Sequence, residues 1–368
     1  MVKIHNKSDK PDNIILKENN IIEKCKKLED DMPLFFRDYF IFLKNSVSLS
    51  SRLAYLEDIF YFLKYLTEEE EKFMGFNTIK DIDLETFAML KARDINYYIG
   101  EYCSRYYKDI NGKEYIFQND NRSLARKKSS LSSLFKYLYR NEQLENNITD
   151  GFNPIKLPKS QPDAVKKLDI DEVSILIEVV ETGKGLSDKE KIYWNKTKLR
   201  DKAILLFFIT YGLRLSEIQQ LNLSSFNYSR NEFKIYRKRG KEALMPLNKT
   251  IQKALKEYLE QERPQINHLD EENQDALFLS LQNKRMTMKA IRELVKKYTS
   301  IVMGTTKNNG YSPHKLRATA ASSLIEYGFS IYDVKNILDH DNVTTTQLYS
   351  AHRKNLKRDI IKNFEWED

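Results

Sequence analysis

Cysteine is nearly missing from this chain of 368 residues: only Cys25 and Cys103 occur, without C-x-x-C spacing. Neither a disulfide framework nor a thiolate metal cluster is suggested. Long apolar runs are missing too. The longest, Ala203 to Leu213, is well short of the roughly 18 residues of a membrane span, and it carries Thr210 and Gly212. The opening residues, Met1 to Asp12, are polar and charged and lack the core of a signal peptide. The expectation is a cytoplasmic chain with no membrane partner. Three catalytic signatures are also missing: G-x-x-x-x-G-K-[ST], H-E-x-x-H and G-x-S-x-G. Asp339, Asp341 and the histidines have no metal-ligand arrangement, so no metal or other cofactor is expected.

What is there is charge. Charged residues make up 31% of the chain, hydrophobic ones 41%, and the net charge is +8. That balance favours an anionic partner, because neutralising phosphates releases condensed counterions. The length suggests two domains. Residues 153–162 hold three prolines and no apolar period, which reads as an extended basic linker.

The divisions expected are a disordered 1–13, a helical DNA-binding domain over 14–158 and a linker at 159–168. A larger domain over 169–355 and a tail at 356–368 follow. Helical periodicity marks 14–31, 51–66, 84–102 and 123–139 before the linker. After it, helices are expected at 169–180, 198–210, 216–221, 251–261, 288–299, 313–327, 331–338 and 344–349. Residues 232–238 and 242–247 alternate as strands around the turn Arg239-Gly240-Lys241. The fold class is therefore mainly α with a small β-sheet (α+β), with an all-helical first domain. In the helix over 123–139, Arg122, Arg126, Lys127 and Lys128 stand opposite the apolar stripe, as candidate DNA contacts.

A sparse set of residues carries the chemistry. Arg214 lies in Tyr211-Gly212-Leu213-Arg214-Leu215-Ser216-Glu217. His314 and Arg317 are three apart at a helix start that Pro313 suits, so both can face one anion. His340 ends a helix, and Tyr349 follows nine residues later. With 22 tyrosines in the chain, composition cannot select one; position does. Arginine forks bind two phosphate oxygens at once and suit a pentacoordinate phosphorane. A phenol near pKa 10 attacks only where cations or a base favour phenolate. Lys238, at the tip of the strand pair, is the candidate general acid, and Lys241 across the turn competes for that role.

These segments resemble the tyrosine recombinase (phage integrase) family. Residues 210–217 look like its first arginine box, and Ser312-Pro313-His314-Lys315-Leu316-Arg317 like its H-x-x-R box. Leu338-Asp339-His340 and Thr345-Thr346-Gln347-Leu348-Tyr349 look like its closing histidine and nucleophile, and 237–241 like its lysine hairpin. Residues 130–138 look like the helical core-binding domain of Xer-type members, and the single-recombinase XerS branch is the most similar. Three departures stand out: Ala318 where a histidine is common, Asp339 for the usual glycine and Arg239 where glycine often follows the lysine.

The resemblance implies a two-domain clamp on a double-stranded DNA recombination site. Tyr349 would form a 3′-phosphotyrosyl link, and a Holliday junction would pass between four identical protomers acting on two sites. Monomers or dimers would occupy half-sites, and the tail 356–368 would be exchanged between protomers. The implied task is Xer-like chromosome dimer resolution, with a cell-division or element-encoded accessory protein as a further partner. Integration of a mobile element, a type IB topoisomerase and a DNA-binding regulator with an idle catalytic set are the alternatives.

Overall fold

The computed structural model describes residues 10–157, 166–237 and 240–339, apart from the side chains of 108–110. Lys238, His340, Tyr349, the expected helix at 344–349 and the tail lie outside the described residues. The chain divides into two compact units, Met1–Lys159 and Ser160–Asp368. No helix among the described residues is long and apolar enough to cross a membrane.

The first unit is built on α1 (Asp12–Asp30), α2 (Arg37–Ser46), α3 (Leu49–Glu69) and α6 (Asn121–Arg140), with α4 (Leu84–Ala88) and α5 (Ala92–Tyr97) between them. α1 starts inside the stretch 1–13 expected to be disordered. Ser48 caps α3 by accepting the Ser51 N–H, and Leu56, Ile59, Leu63 and Leu66 then bury one stripe of it. The core is aromatic: Phe87 packs edge-on to Phe36 at 5.4 Å and stacks on Phe135 at 5.2 Å. The single helix expected over 84–102 is broken. Asp83 caps α4, but the Asp94 carboxylate turns back to accept the Lys91 N–H at 2.8 Å, starting a new helix. A π turn at Tyr98–Tyr102 ends it.

The unit is also not all-helical, which corrects the reading from sequence. β1 (Arg105–Ile110) and β2 (Lys113–Gln118) pair antiparallel across Asn111-Gly112. Both turn residues have positive φ (56° and 74°), as a tight two-residue hairpin turn requires. Tyr106 and Phe117 pair across the strands and stack at 5.4 Å.

In the second unit α9 (Lys198–Tyr211) is the central element, and its run Ala203–Phe208 is buried on every side. Around it pack α7 (Ile170–Thr182), α11 (Lys249–Gln261), α13 (Met288–Val302) and α14 (Pro313–Glu326). Two short helices flank it, α8 (Asp188–Trp194) and α10 (Leu215–Gln219), and α12 (Glu271–Gln274) follows α11. The unit has begun by Leu168, which is buried and donates its N–H to Thr319, so the expected linker ends inside this core.

An antiparallel sheet, β3 (Phe226–Asn227), β4 (Glu232–Tyr236) and β5 (Glu242–Pro246), covers one side of the core. Phe233 and Ile235 point inward by strand alternation. β4 stops at Tyr236, two residues short of Lys238, and Arg237 carries the ladder one step further by donating to the Lys241 carbonyl at 2.7 Å. α15 (Ile331–Leu338) packs Val334 and Leu338 against Ala318, Ala321 and Ile325 of α14.

Candidate active site

The C-terminal end of α15 is where the distant motifs meet. The last carbonyls of a helix lack partners within it and carry partial negative charge. Here three successive ones are taken by three arginines. Ile337 accepts from Arg237 Nη2 at 2.7 Å, Leu338 from Arg317 Nη2, and Asp339 from Arg214 Nη2 at 2.8 Å. The next residue is His340, outside the described residues.

Each arginine is fixed from a different element. α9 ends at Gly212, in the left-handed region at φ 58°. A Cβ there would lie 2.6 Å from a Leu338 methyl, so glycine suits both the left-handed backbone and the close approach of α15. Its carbonyl receives Arg317 Nη1 at 2.5 Å. Two residues on, Arg214 is the N-cap of α10, where Glu217 folds back. One carboxylate oxygen accepts the Arg214 backbone N–H at 2.7 Å and the other its Nη1 at 2.9 Å. Glu217 is buried, so it orients this guanidinium through a charge-assisted pair. Arg317 stands on the first turn of α14, behind Ser312 and Pro313, and is 4% exposed.

Asp339 closes the cluster. Its carboxylate lies 3.6 Å from Arg214 and 3.8 Å from Arg237. Arg214 and Arg237 share the Asp339 carboxylate, and Glu217 pairs with Arg214 from the other side. Burial draws the Arg237 pKa below the ordinary guanidinium value, with Arg214 acting the same way and Glu217 and Asp339 against it. His314 keeps an exposed edge on the turn before Arg317. The surrounding protein, then the Lys315 and Arg317 charges, hold its pKa below the histidine value, so the ring is neutral at pH 7.

The structure thus brings Arg214 and Arg317 together and sets His314 on the same helix as Arg317. Glu217 and Arg237 belong to the site but were given no role from sequence, and Asp339 was marked there only as a departure from the usual glycine. Glu217 had a signal, since it occupies the N3 position after an N-cap arginine. Arg237 and the ion-pair role of Asp339 had none, because their partners are 100 residues or more distant.

In the first unit the candidate DNA contacts divide. Arg122 is exposed. Arg126 is half exposed and bonded to Asp58 at 2.5 Å. Lys127 is largely covered, 3.5 Å from Asp58 and over the Tyr61 ring, while Lys128 donates to the Asn153 carbonyl at 2.7 Å.

Comparison with known proteins gives the same answer by another route. A profile of the Phage integrase family matches residues 166–355. The tyrosine recombinase XerC of Natranaerobius thermophilus is 31% identical over 315 residues, covering 85% of this chain and 92% of its own length. Tyrosine recombinase XerD of Listeria monocytogenes is 26% identical over 330 residues, covering 89% and 96%. Among solved structures, the XerH site-specific recombinase bound to palindromic difH substrate, a post-cleavage complex, has a TM-score of 0.58 at 17% identity. That alignment covers 97% of this chain and 90% of XerH. A lambda integrase (75–356) dimer bound to a COC' core site gives 0.53 at 14% identity, covering 84% of this chain and 95% of that fragment. These structural likenesses concern the fold.

Proposed function

Because the chain belongs to the phage integrase family, we propose that Tyr349 is its nucleophile and that Arg214 and Arg317 hold the scissile phosphate. The enzyme is a site-specific tyrosine recombinase of Xer type, exchanging DNA strands through a phosphotyrosine intermediate. The Tyr349 phenol gives up its proton to a base or water at the site, its oxygen bonds to phosphorus, the bond to the 5′ oxygen breaks, and Lys238 supplies that oxygen with a proton. The freed 5′-hydroxyl of the partner strand then attacks the phosphotyrosyl link and releases the phenol. One ester is exchanged for another, so bond energy is retained and no ATP is needed.

The observation that supports the roles most strongly is the gathering of Arg214 and Arg317 at the helix end that leads into His340. Both forks are preorganised before substrate arrives, by Glu217 and by the Gly212 carbonyl. Donors fixed in advance stabilise developing charge without reorganising during the reaction.

The first unit serves as the core-binding domain, with the exposed Arg122 at the start of α6 the cation best placed to reach phosphates. Four protomers act on two sites, and the tail 356–368 joins neighbours. The cellular task is chromosome dimer resolution by a single recombinase of the XerS-like branch. To test the chemistry, the full chain is incubated with a pool of nicked duplexes of random core sequence. Protein attached to the 3′ end supports the reading, and exchange between two recovered sites separates recombination from swivelling. Binding without any covalent product would leave a regulator instead.

A further inference from the structure

We propose that Arg237 is a positioning residue that holds the Asp339 carboxylate away from Arg214, keeping the Arg214 fork available to the scissile phosphate. This rests on the reading that Arg214 binds that phosphate.

Asp339 is an unexpected residue at its position. Its φ of 52° is left-handed, a conformation in which glycine is the least strained. Its side chain also sets a negative charge at an anion site. Arg214 already carries one carboxylate, Glu217, at 2.9 Å. A second one bound closely would leave the fork saturated and would repel an incoming phosphate. That is not the arrangement found. The two Asp339 oxygens face different arginines at 3.6 and 3.8 Å, ion-pair distances longer than a hydrogen bond. The carboxylate is shared and not captured by either.

Arg237 is built to hold its half of that arrangement. Its side chain is 7% exposed. Nη2 is anchored on the Ile337 carbonyl, two residues before Asp339, and lies 3.6 Å from the Met245 sulfur. Its buried Nε has no hydrogen-bond partner among the described residues, so the Ile337 carbonyl and the nearby Glu217 and Asp339 charges are what offset burying this guanidinium. Arg214 and Asp339 are each 31% exposed in their side chains, so this edge of the cluster is the open one. Arg237 lies behind it and acts through Asp339.

The test compares wild type with Arg237→Gln, Arg237→Lys and the double variant Arg237→Gln/Asp339→Asn. Asparagine tolerates the left-handed backbone and removes only the charge. Adduct formation is measured on a nicked duplex at saturating DNA. Arg237→Gln is expected to slow it about tenfold or more, Arg237→Lys by clearly less, and the double variant to recover most of the loss. A merely structural Arg237 predicts the opposite, since deleting a second partner would add damage. A double variant as slow as Arg237→Gln, or slower, overturns the proposal. Affinity for the intact half-site reads the same order without chemistry. An absence of adduct from wild type would therefore refute the phosphotyrosyl reading, while the order of affinities still decides the role of Arg237.

Discussion

Asp58 in the first unit and Asp339 in the second each face two cations, and the contrast between them separates a structural cluster from a substrate site. Asp58 is 3% exposed and meets Arg126 at 2.5 Å, Ser130 at 2.8 Å and Lys127 at 3.5 Å. These contacts tie α3 to α6. Around Asp339 the contacts are longer, and the arginines hold backbone carbonyls as well as acids. The Asp58 carboxylate is buried and closed off by direct hydrogen bonds, whereas the Asp339 carboxylate is 31% exposed and shared at longer range on the open edge of its cluster. A cation count alone would not distinguish the two. What distinguishes them is what the cations are bonded to.

Removing a fork from the open cluster should have the largest effect. Arg214→Ala is expected to slow single-turnover adduct formation by about a thousandfold, the upper range for one preorganised donor. A change below about fivefold would place the phosphate elsewhere. Next comes the proton donor. Lys238→Ala should slow cleavage about a hundredfold and Lys241→Ala much less. A bridging 5′-phosphorothiolate, whose leaving group needs no proton, should rescue the Lys238 variant. If it rescues only the Lys241 variant, the two exchange roles.

The closed cluster should respond in stability instead. Asp58→Asn leaves Lys127 and Arg126 without their anion and should lower unfolding free energy by about 1–3 kcal/mol, read from denaturant midpoints of the full chain. Its adduct rate at saturating DNA should stay near wild type. A slowed rate with unchanged stability would erase the contrast. The smallest effect concerns α6. Arg122→Ala, at an exposed cation, should reduce the salt slope of DNA binding by about one counterion, and Lys127→Ala by less. Equal slopes would show that Lys127 is released on binding.

Local rules carried much of this architecture. The stripes of α3 and α6, the Pro313 start of α14 and the α15 boundaries were legible because helix periodicity and capping act within a few residues. The hairpin at Asn111-Gly112 was missed, although its turn residues and flanking aromatics carried a local signal. The break after Ala88 depends on whether Asp94 caps Lys91 or continues a helix, a choice made by packing. At the site, motif spacing supplied Arg214, His314 and Arg317. It could not supply Arg237, whose role exists only because α15 ends against Gly212.

The most direct measurement concerns the phenol. Wild type and Tyr349→Phe are each incubated with a nicked, 5′-labelled duplex, and any protein–DNA adduct is digested and mapped by mass spectrometry. The expected result is a phosphotyrosyl peptide containing Tyr349 in wild type, with none from the variant although it binds the duplex as tightly. An adduct that survives the substitution, or one mapped to another residue, would contradict the account.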